Sequence, residues 1–280
     1  MENNQQPAVS VIVPCYNYAA FLSECLDSIL AQTFTNWECI IADNCSTDNT
    51  KEIAEKYVQK DSRFKYIYCE IKGVSAARNK AIANSSGKYI LPVDADDRIG
   101  ENYLQKAVPV LEGKSNVKIV YCQAELFGHT SGKWNLPEYS LEKMLKQNIV
   151  FCSGLYRRTD FDQTKGYNET FLQGFEDWDF WLSLLQNGGD VHRINEVLFY
   201  YRIRKTSRNN SLDMEKQKTL RRMVYENHKQ LYAQSLNMSD VIFENYLNET
   251  KYNSIAGSMD YRIGKLLLSP LRMIKRLLGK

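Results

Sequence analysis

Between residues 9 and 94 the chain switches its apolar period six times, and that alternation restricts the possible folds more than any other feature. Val9–Asn17 (VSVIVPCYN) is a β-rich apolar run, and the next fourteen residues place Phe21, Leu22, Cys25, Leu26, Ile29 and Leu30 at helical spacing. Trp37–Asp43 (WECIIAD) again reads as strand. The segment STDNTKEIAEKYVQK then opens on cap-forming residues before Ile53, Ala54, Tyr57 and Val58 line one helical side. Phe64–Glu70, an Ala-rich stretch over Gly73–Gly87, and Lys88–Asp94 supply a third strand, a third helix and a fourth strand. Strands separated by helices of this length pair in parallel, so an α/β parallel sheet is expected. Ligands of such sheets gather beyond the carboxyl ends of the strands. Those ends carry Asn17, Asp43 with Asn44, and the Asp94, Asp96, Asp97 cluster.

After Asp97 the alternation loosens. A helix over Glu101–Leu111, a strand over Val117–Cys122, a helix near Leu141–Lys146 and a strand over Ile149–Arg158 are expected. A helix follows with Phe175, Trp178, Leu182 and Leu185 on one face, stopped by Gly188 and Gly189, and then a last strand over Val191–Arg204. Beyond Leu212 the chain is helical and charged. The expected division is therefore residues 1–210, with halves at about 1–98 and 99–210, followed by a helical extension over 211–280.

The net charge of +3 is a property of the tail. Residues 261–280 carry six basic side chains and no acidic ones, which leaves 30 basic against 33 acidic residues over 1–260. A general nucleic-acid surface is not expected from that distribution. The tail sets Ile263, Leu266, Leu267, Leu271, Ile274, Leu277 and Leu278 along one side and Arg262, Lys265, Arg272, Lys275 and Arg276 along much of the rest, interrupted at Pro270. Such a segment suits an anionic membrane surface; a helix packed on the protein or a dimer seam is the competing reading. All seven cysteines fall within the first 152 residues, the count is odd and no CxxC pair occurs. With no signal-like leader and no apolar run long enough to span a bilayer, a cytoplasmic location is expected, peripheral at the inner face of the plasma membrane if the tail binds there.

Two nucleotide-binding classes are excluded at the first turn. The first glycine is Gly73, so neither GxGxxG nor GxxxxGK[ST] follows the first strand; the turn reads PCYNY, Pro14–Tyr18. Within VDADD, residues i and i+2 of an extended segment point the same way, so Asp94 and Asp96 can face one hard cation, Mg²⁺ or Mn²⁺, with phosphate and water completing the shell. A solvated acidic turn or a helix cap is the plain alternative. Three carboxylates this close also call for cationic neighbours.

The stretches VSVIVPCYNYAAFLSECLDSILAQT, IIADNCSTDNT, GVSAARNKAI, VDADD and FEDWDFWLSLL, in that order over about residues 8–205, resemble the family 2 glycosyltransferases. The resemblance implies the GT-A fold: a Rossmann-like, mostly parallel central sheet flanked by helices. It implies an inverting, non-processive transfer of one sugar from a nucleoside diphosphate donor to a hydroxyl, in bacterial surface polysaccharide synthesis, with UDP favoured by family frequency and a saccharide acceptor that a lipid can carry. Carried onto this sequence, Pro14, Tyr16 and Asn17 line the base pocket. Asp43 accepts from the base N–H, Asn44 stands where most members have a second Asp, and Arg78 pairs with phosphate or the base edge. Asp94 lies towards ribose and metal, Asp96 is the principal metal ligand, Asp177 is the base with Glu176 as runner-up, and Trp178 meets the acceptor while Trp181 joins the core. Many relatives read YRxHxxS where this chain reads YRIRKTS. Arg204 in the histidine's place cannot ligate a metal but can clamp a diphosphate, so weaker metal dependence is expected. A degenerate nucleotide-sugar-binding scaffold and a sugar-phosphate nucleotidyltransferase are the rival readings.

Overall fold

The computed structural model describes residues 6–204 and 213–237, with isolated positions between 247 and 259. In chain order the first half is β1 (Val9–Cys15), α1 (Ala19–Leu30), β2 (Trp37–Asp43), α2 (Thr50–Lys60), β3 (Phe64–Tyr68), α3 (Val74–Ala83) and β4 (Tyr89–Pro92). β1 and β2 are buried at every position, which is why they read as unbroken apolar runs rather than as alternation. The order β3–β2–β1–β4, parallel throughout, carries the chain outward twice and then back across β1. Right-handed crossovers put α3 on the opposite face from α1 and α2. The order therefore reverses between β1 and β4, and a crevice opens there at the strand C-termini. Pro92 closes β4, as its missing donor requires.

The second half comprises β5 (Arg98–Ile99), α4 (Tyr103–Gly113), β6 (Val117–Gly128), β7 (Gly132–Trp134), α5 (Leu141–Lys146), β8 (Leu155–Arg157), α6 (Arg158–Phe161), α7 (Glu176–Leu185), β9 (Asp190–Ile203), α8 (Met214–Asn227) and α9 (Lys229–Ser235). It completes one nine-stranded sheet in the order β3–β2–β1–β4–β8–β6–β9–β5, with β7 paired to β6. Here the pairing is mixed: β8 runs antiparallel to β4 and β6, and β9 runs parallel to β6. The expected parallel character holds for the first half of the sheet.

The strand expected over Ile149–Arg158 shrinks to β8, because side chains rather than a neighbouring strand satisfy the backbone ahead of it. Trp181 Nε1 donates to the Val150 carbonyl at 3.2 Å and Tyr103 OH to the Ser153 carbonyl at 2.6 Å. Residues 149–152 are thereby left as a wall facing the site. The first compact unit runs to Lys229, beyond the expected boundary near residue 210. α8 belongs to it because Asn227 and His228 bond the Asp179 carboxylate of α7 at 2.8 and 3.0 Å. A second unit covers Gln230–Lys280, and the basic tail over 261–280 lies outside the described residues. Among the described residues no helix is long and apolar enough to cross a membrane. The seven cysteines are free thiols.

Candidate active site

Two cavities open at the C-terminal edge of the sheet. The first, about 350 Å³, is lined by Pro14, Tyr16, Asn44, Lys72, Gly73 and Leu172, among others. The second, about 500 Å³, includes Asp96, Phe151, Cys152, Asp177, Tyr201 and Arg204. Tyr18, Asp94 and Glu176 line both, so the two spaces meet at these side chains. Asn17, Cys45 and Phe175 are the non-glycine residues with positive φ (55°, 64° and 70°) among those described, and they sit after β1, after β2 and before α7. Backbone strain of about 1–3 kcal/mol each is thus concentrated around the site.

The aspartate cluster is matched by arginines. Arg78, 1% exposed, sends Nη2 to Asp94 Oδ1 at 2.7 Å and Nη1 to Glu176 Oε1 at 3.0 Å. Arg204 Nε stands 3.0 Å from Asp96 Oδ2, and its Nη2 donates to Tyr18 OH at 2.9 Å. Arg202 donates its backbone N–H to Asp97 Oδ1 at 2.8 Å and its Nε to the Asp96 carbonyl at 2.7 Å. The charge is not fully balanced. Burial, followed by the neighbouring Asp94 charge, pushes the Asp96 carboxyl up to about 6 against the opposing pull of Arg204. Burial pushes Asp97 well above the carboxylate range, with Asp96 and Asp94 adding to it. Asp94 and Asp96 both face the second cavity. The Asp94 and Asp96 carboxyl oxygens, brought to one cavity by the turn over Asp94–Asp97, form a surface that a hard divalent cation fits.

Asp177 and Glu176 open α7. Asp177 Oδ1 accepts the Trp178 N–H at 2.8 Å and Oδ2 accepts from Asn148 Nδ2 at 3.0 Å. Burial raises its carboxyl to about 7, Glu176 adds to the rise and Arg78 opposes it. A carboxylate poised there, facing the second cavity, can take a proton from a hydroxyl near neutral pH.

Several expected contacts are placed differently. Asn17 does not line the first cavity; its Oδ1 accepts from Thr47 N at 2.7 Å and so ties the β1 turn to the β2 turn. Asp43 is 2% exposed, its oxygens accepting from Ser46 N (2.9 Å) and Tyr66 OH (2.8 Å), and it does not line the first cavity. Arg78 engages two carboxylates through Nη1 and Nη2 and lines neither cavity. Trp178 and Trp181 are 2% and 0% exposed, since i and i+3 share a helix face; Trp178 Nε1 donates to the Met144 carbonyl at 2.6 Å and Trp178 borders the second cavity, whereas Trp181 borders neither cavity. Pro14, Tyr16, Asn44, Asp94, Asp96, Arg204, Glu176 and Asp177 do converge on the cavities. Sequence reasoning missed Tyr18, which orients Arg204, and Cys152. Tyr18 carried a signal in its place within PCYNY, whereas Cys152 carried none.

Asn44 explains its own departure from the family pattern. Its Oδ1 accepts from Gly73 N at 2.7 Å while its Nδ2 donates to the Ile71 carbonyl at 2.5 Å, holding the loop that bears Lys72 against β2. Asn44→Asp keeps the acceptor and turns the donor into an oxygen facing a carbonyl. The expected cost is about 1–3 kcal/mol, read as a melting temperature lower by roughly 2–4 °C per kcal/mol, together with weaker nucleotide binding. Unchanged melting and unchanged affinity would contradict it.

Residues 10–229 match the family model for glycosyl transferase family 2. A Bacillus subtilis (strain 168) glycosyltransferase named for teichuronic acid biosynthesis, TuaG, is 32% identical over 82% of this chain and 91% of its own length. The structure of S. aureus TarS residues 1–349 with UDP-GlcNAc superposes at a TM-score of 0.69, with 22% identity over 91% of this chain and 77% of that one. The mannosyltransferase PcManGT from Pyrobaculum calidifontis, solved with GDP-Man and Mn²⁺, superposes at 0.59, with 17% identity over 99% and 89%. The matched span runs from the second residue of β1 through α8 and takes in both cavities, and the chain accordingly belongs to glycosyl transferase family 2, as a glycosyltransferase of GT-A fold.

Proposed function

We propose that this glycosyltransferase moves one sugar, with inversion, from a UDP-sugar to a saccharide hydroxyl in bacterial cell-surface polysaccharide synthesis. The observation that carries the reading is the junction of the two cavities at Asp94 and Glu176, with the raised Asp177 carboxyl on the far side only. The first cavity takes the nucleotide, with the Tyr16 ring at 44% exposure available for base stacking and Pro14 and Asn44 as walls. The diphosphate reaches Asp94 and Arg204, and the sugar enters the second cavity. Asp177 accepts the acceptor proton as the hydroxyl oxygen bonds to the anomeric carbon. The bond to the diphosphate breaks on the opposite face, and the Arg204 guanidinium stabilises the departing charge. Asp94 and Asp96 would hold Mn²⁺ or Mg²⁺, which when bound supplies further charge stabilisation to the leaving group.

The names TuaG and TarS support the substrate class only by likeness. Thermal shifts with UDP, GDP, TDP and CDP, followed by a UDP-release assay with saccharide acceptors, test it. Stabilisation by UDP with acceptor-dependent release is the expected result; stabilisation by another nucleotide alone, or binding that never leads to release, would overturn the donor or the activity. Since Arg204 pairs with Asp96, transfer is expected to persist in part in chelator. Arg204→Ala is expected to lower kcat by about tenfold or more by removing a charge-stabilising donor, and full activity of that variant would reject its role.

A further inference from the structure

Cys152 is left unused by the transfer reaction, yet it sits in the floor of the second cavity. Its thiol donates to Asp94 Oδ2 at 3.4 Å. Asp97 is 1% exposed, and although its Oδ1 is held by the Arg202 N–H, its Oδ2 has no hydrogen-bond partner among the described residues. One donor atom from each of Asp94, Asp97 and Cys152 lies within 4.8 Å of the other two. Two ligands of a tetrahedral cation, one oxygen at about 2.1 Å and one sulfur at about 2.3 Å, stand about 3.6 Å apart. The Asp94–Cys152 separation is close to that span. An orphaned buried oxygen beside it is the kind of group that a cation would satisfy.

We infer that Asp94, Asp97 and Cys152 form a mixed sulfur–oxygen site for a thiophilic divalent cation of the Zn²⁺ or Cd²⁺ class, which overlaps the hard-cation surface at Asp94 and differs from it in its other ligands. The difference lies in the ligands: thiolate selects soft and borderline metals, whereas an all-oxygen pair with phosphate and water suits Mg²⁺ or Mn²⁺. Asp96 is not a member of this cluster. A thiol must lose its proton to ligate, and that proton passes to solvent as the cation binds. Asp94 is common to both surfaces. Occupancy by the soft cation therefore withdraws a donor-site carboxylate, and Zn²⁺ at low concentration inhibits transfer in competition with the hard metal.

Binding is read on the full chain without donor or acceptor, so its outcome is independent of whether the transferase reading holds. Co²⁺ serves as the spectroscopic probe: a thiolate-to-cobalt charge-transfer band is expected in the near ultraviolet, lost in Cys152→Ser and retained in Cys45→Ser. Cd²⁺ affinity measured by titration is expected to fall about tenfold or more in Cys152→Ser, while Mg²⁺ affinity stays unchanged. In the unmodified chain, alkylation of Cys152 followed by mass spectrometry is expected to slow with Zn²⁺ and not with Mg²⁺, a readout that needs no variant to fold. No charge-transfer band, a band that survives in Cys152→Ser, or alkylation indifferent to Zn²⁺ would each overturn the site.

Discussion

Asp177→Asn is expected to abolish transfer while leaving nucleotide binding intact. The substitution keeps the size of the side chain and its acceptor for the Trp178 N–H but removes the group that takes the acceptor proton. Loss of a general base costs about 10²–10⁴ in kcat, and the nucleotide cavity, which Asp177 does not line, is undisturbed. In the unaltered enzyme kcat/KM rises with pH through about 7, because the base works only once deprotonated and burial holds its proton to that point. Stability has the opposite slope. The folded chain binds this proton more tightly than the unfolded one, so the contribution of Asp177 to stability falls as pH rises from the ordinary carboxylate range towards 7. At neutral pH this gain in Asp177→Asn is offset by the new amide NH2 facing Asn148 Nδ2, and the variant should melt close to the parent. An inactive variant with a depressed melting point would indicate a structural role, and an active one would move the base to Glu176.

Much of this site was legible before any coordinates. The fold of the first half followed from period switching, because β1 and β2 are buried on both faces and α1 and α2 on one, and burial writes itself into the sequence as apolar spacing. Asp94 and Asp96 do face one cavity, but not through the two-residue period expected of an extended segment: β4 ends at Pro92, and Asp94–Asp97 is a turn in which the Asp97 N–H donates to the Asp94 carbonyl at 2.9 Å. What did not show is the pairing between side chains distant in sequence. Arg78 and Glu176 are 98 residues apart, Arg202 and Asp97 are 105 apart, and Cys152 reaches Asp94 across 58. No local pattern encodes such contacts, and so the sequence does not show that Arg78 and Asp43 also bond groups of the fold itself. The missed two-residue strand β5 has the same origin: Arg98 and Ile99 become strand only because β9 returns beside them.

Removing Arg78 should damage stability and chemistry together, and the two losses can be told apart. The guanidinium is buried at 1% exposure between Asp94, which faces both cavities, and Glu176, the first residue of the helix that carries the base. Arg78→Ala leaves two carboxylates in a poorly solvated position without their cation. Breaking a buried pair in this way costs about 3–5 kcal/mol, a large share of the 5–15 kcal/mol or so that holds a domain together. That variant is expected to be recovered poorly or to melt far below the parent. Arg78→Lys keeps the charge but cannot fork to both partners, since an ammonium lacks the planar pair of donors. It should fold with a smaller loss of melting temperature and still show altered chemistry, because Arg78 is the cation that opposes the rise in the Asp177 pKa. With that opposition loosened, the acidic limb of the kcat/KM profile moves to higher pH, a change that simple loosening of the fold would not produce. If Arg78→Lys melted with the parent and its pH limb stayed in place, Arg78 would not be the link between the donor carboxylate and the base helix.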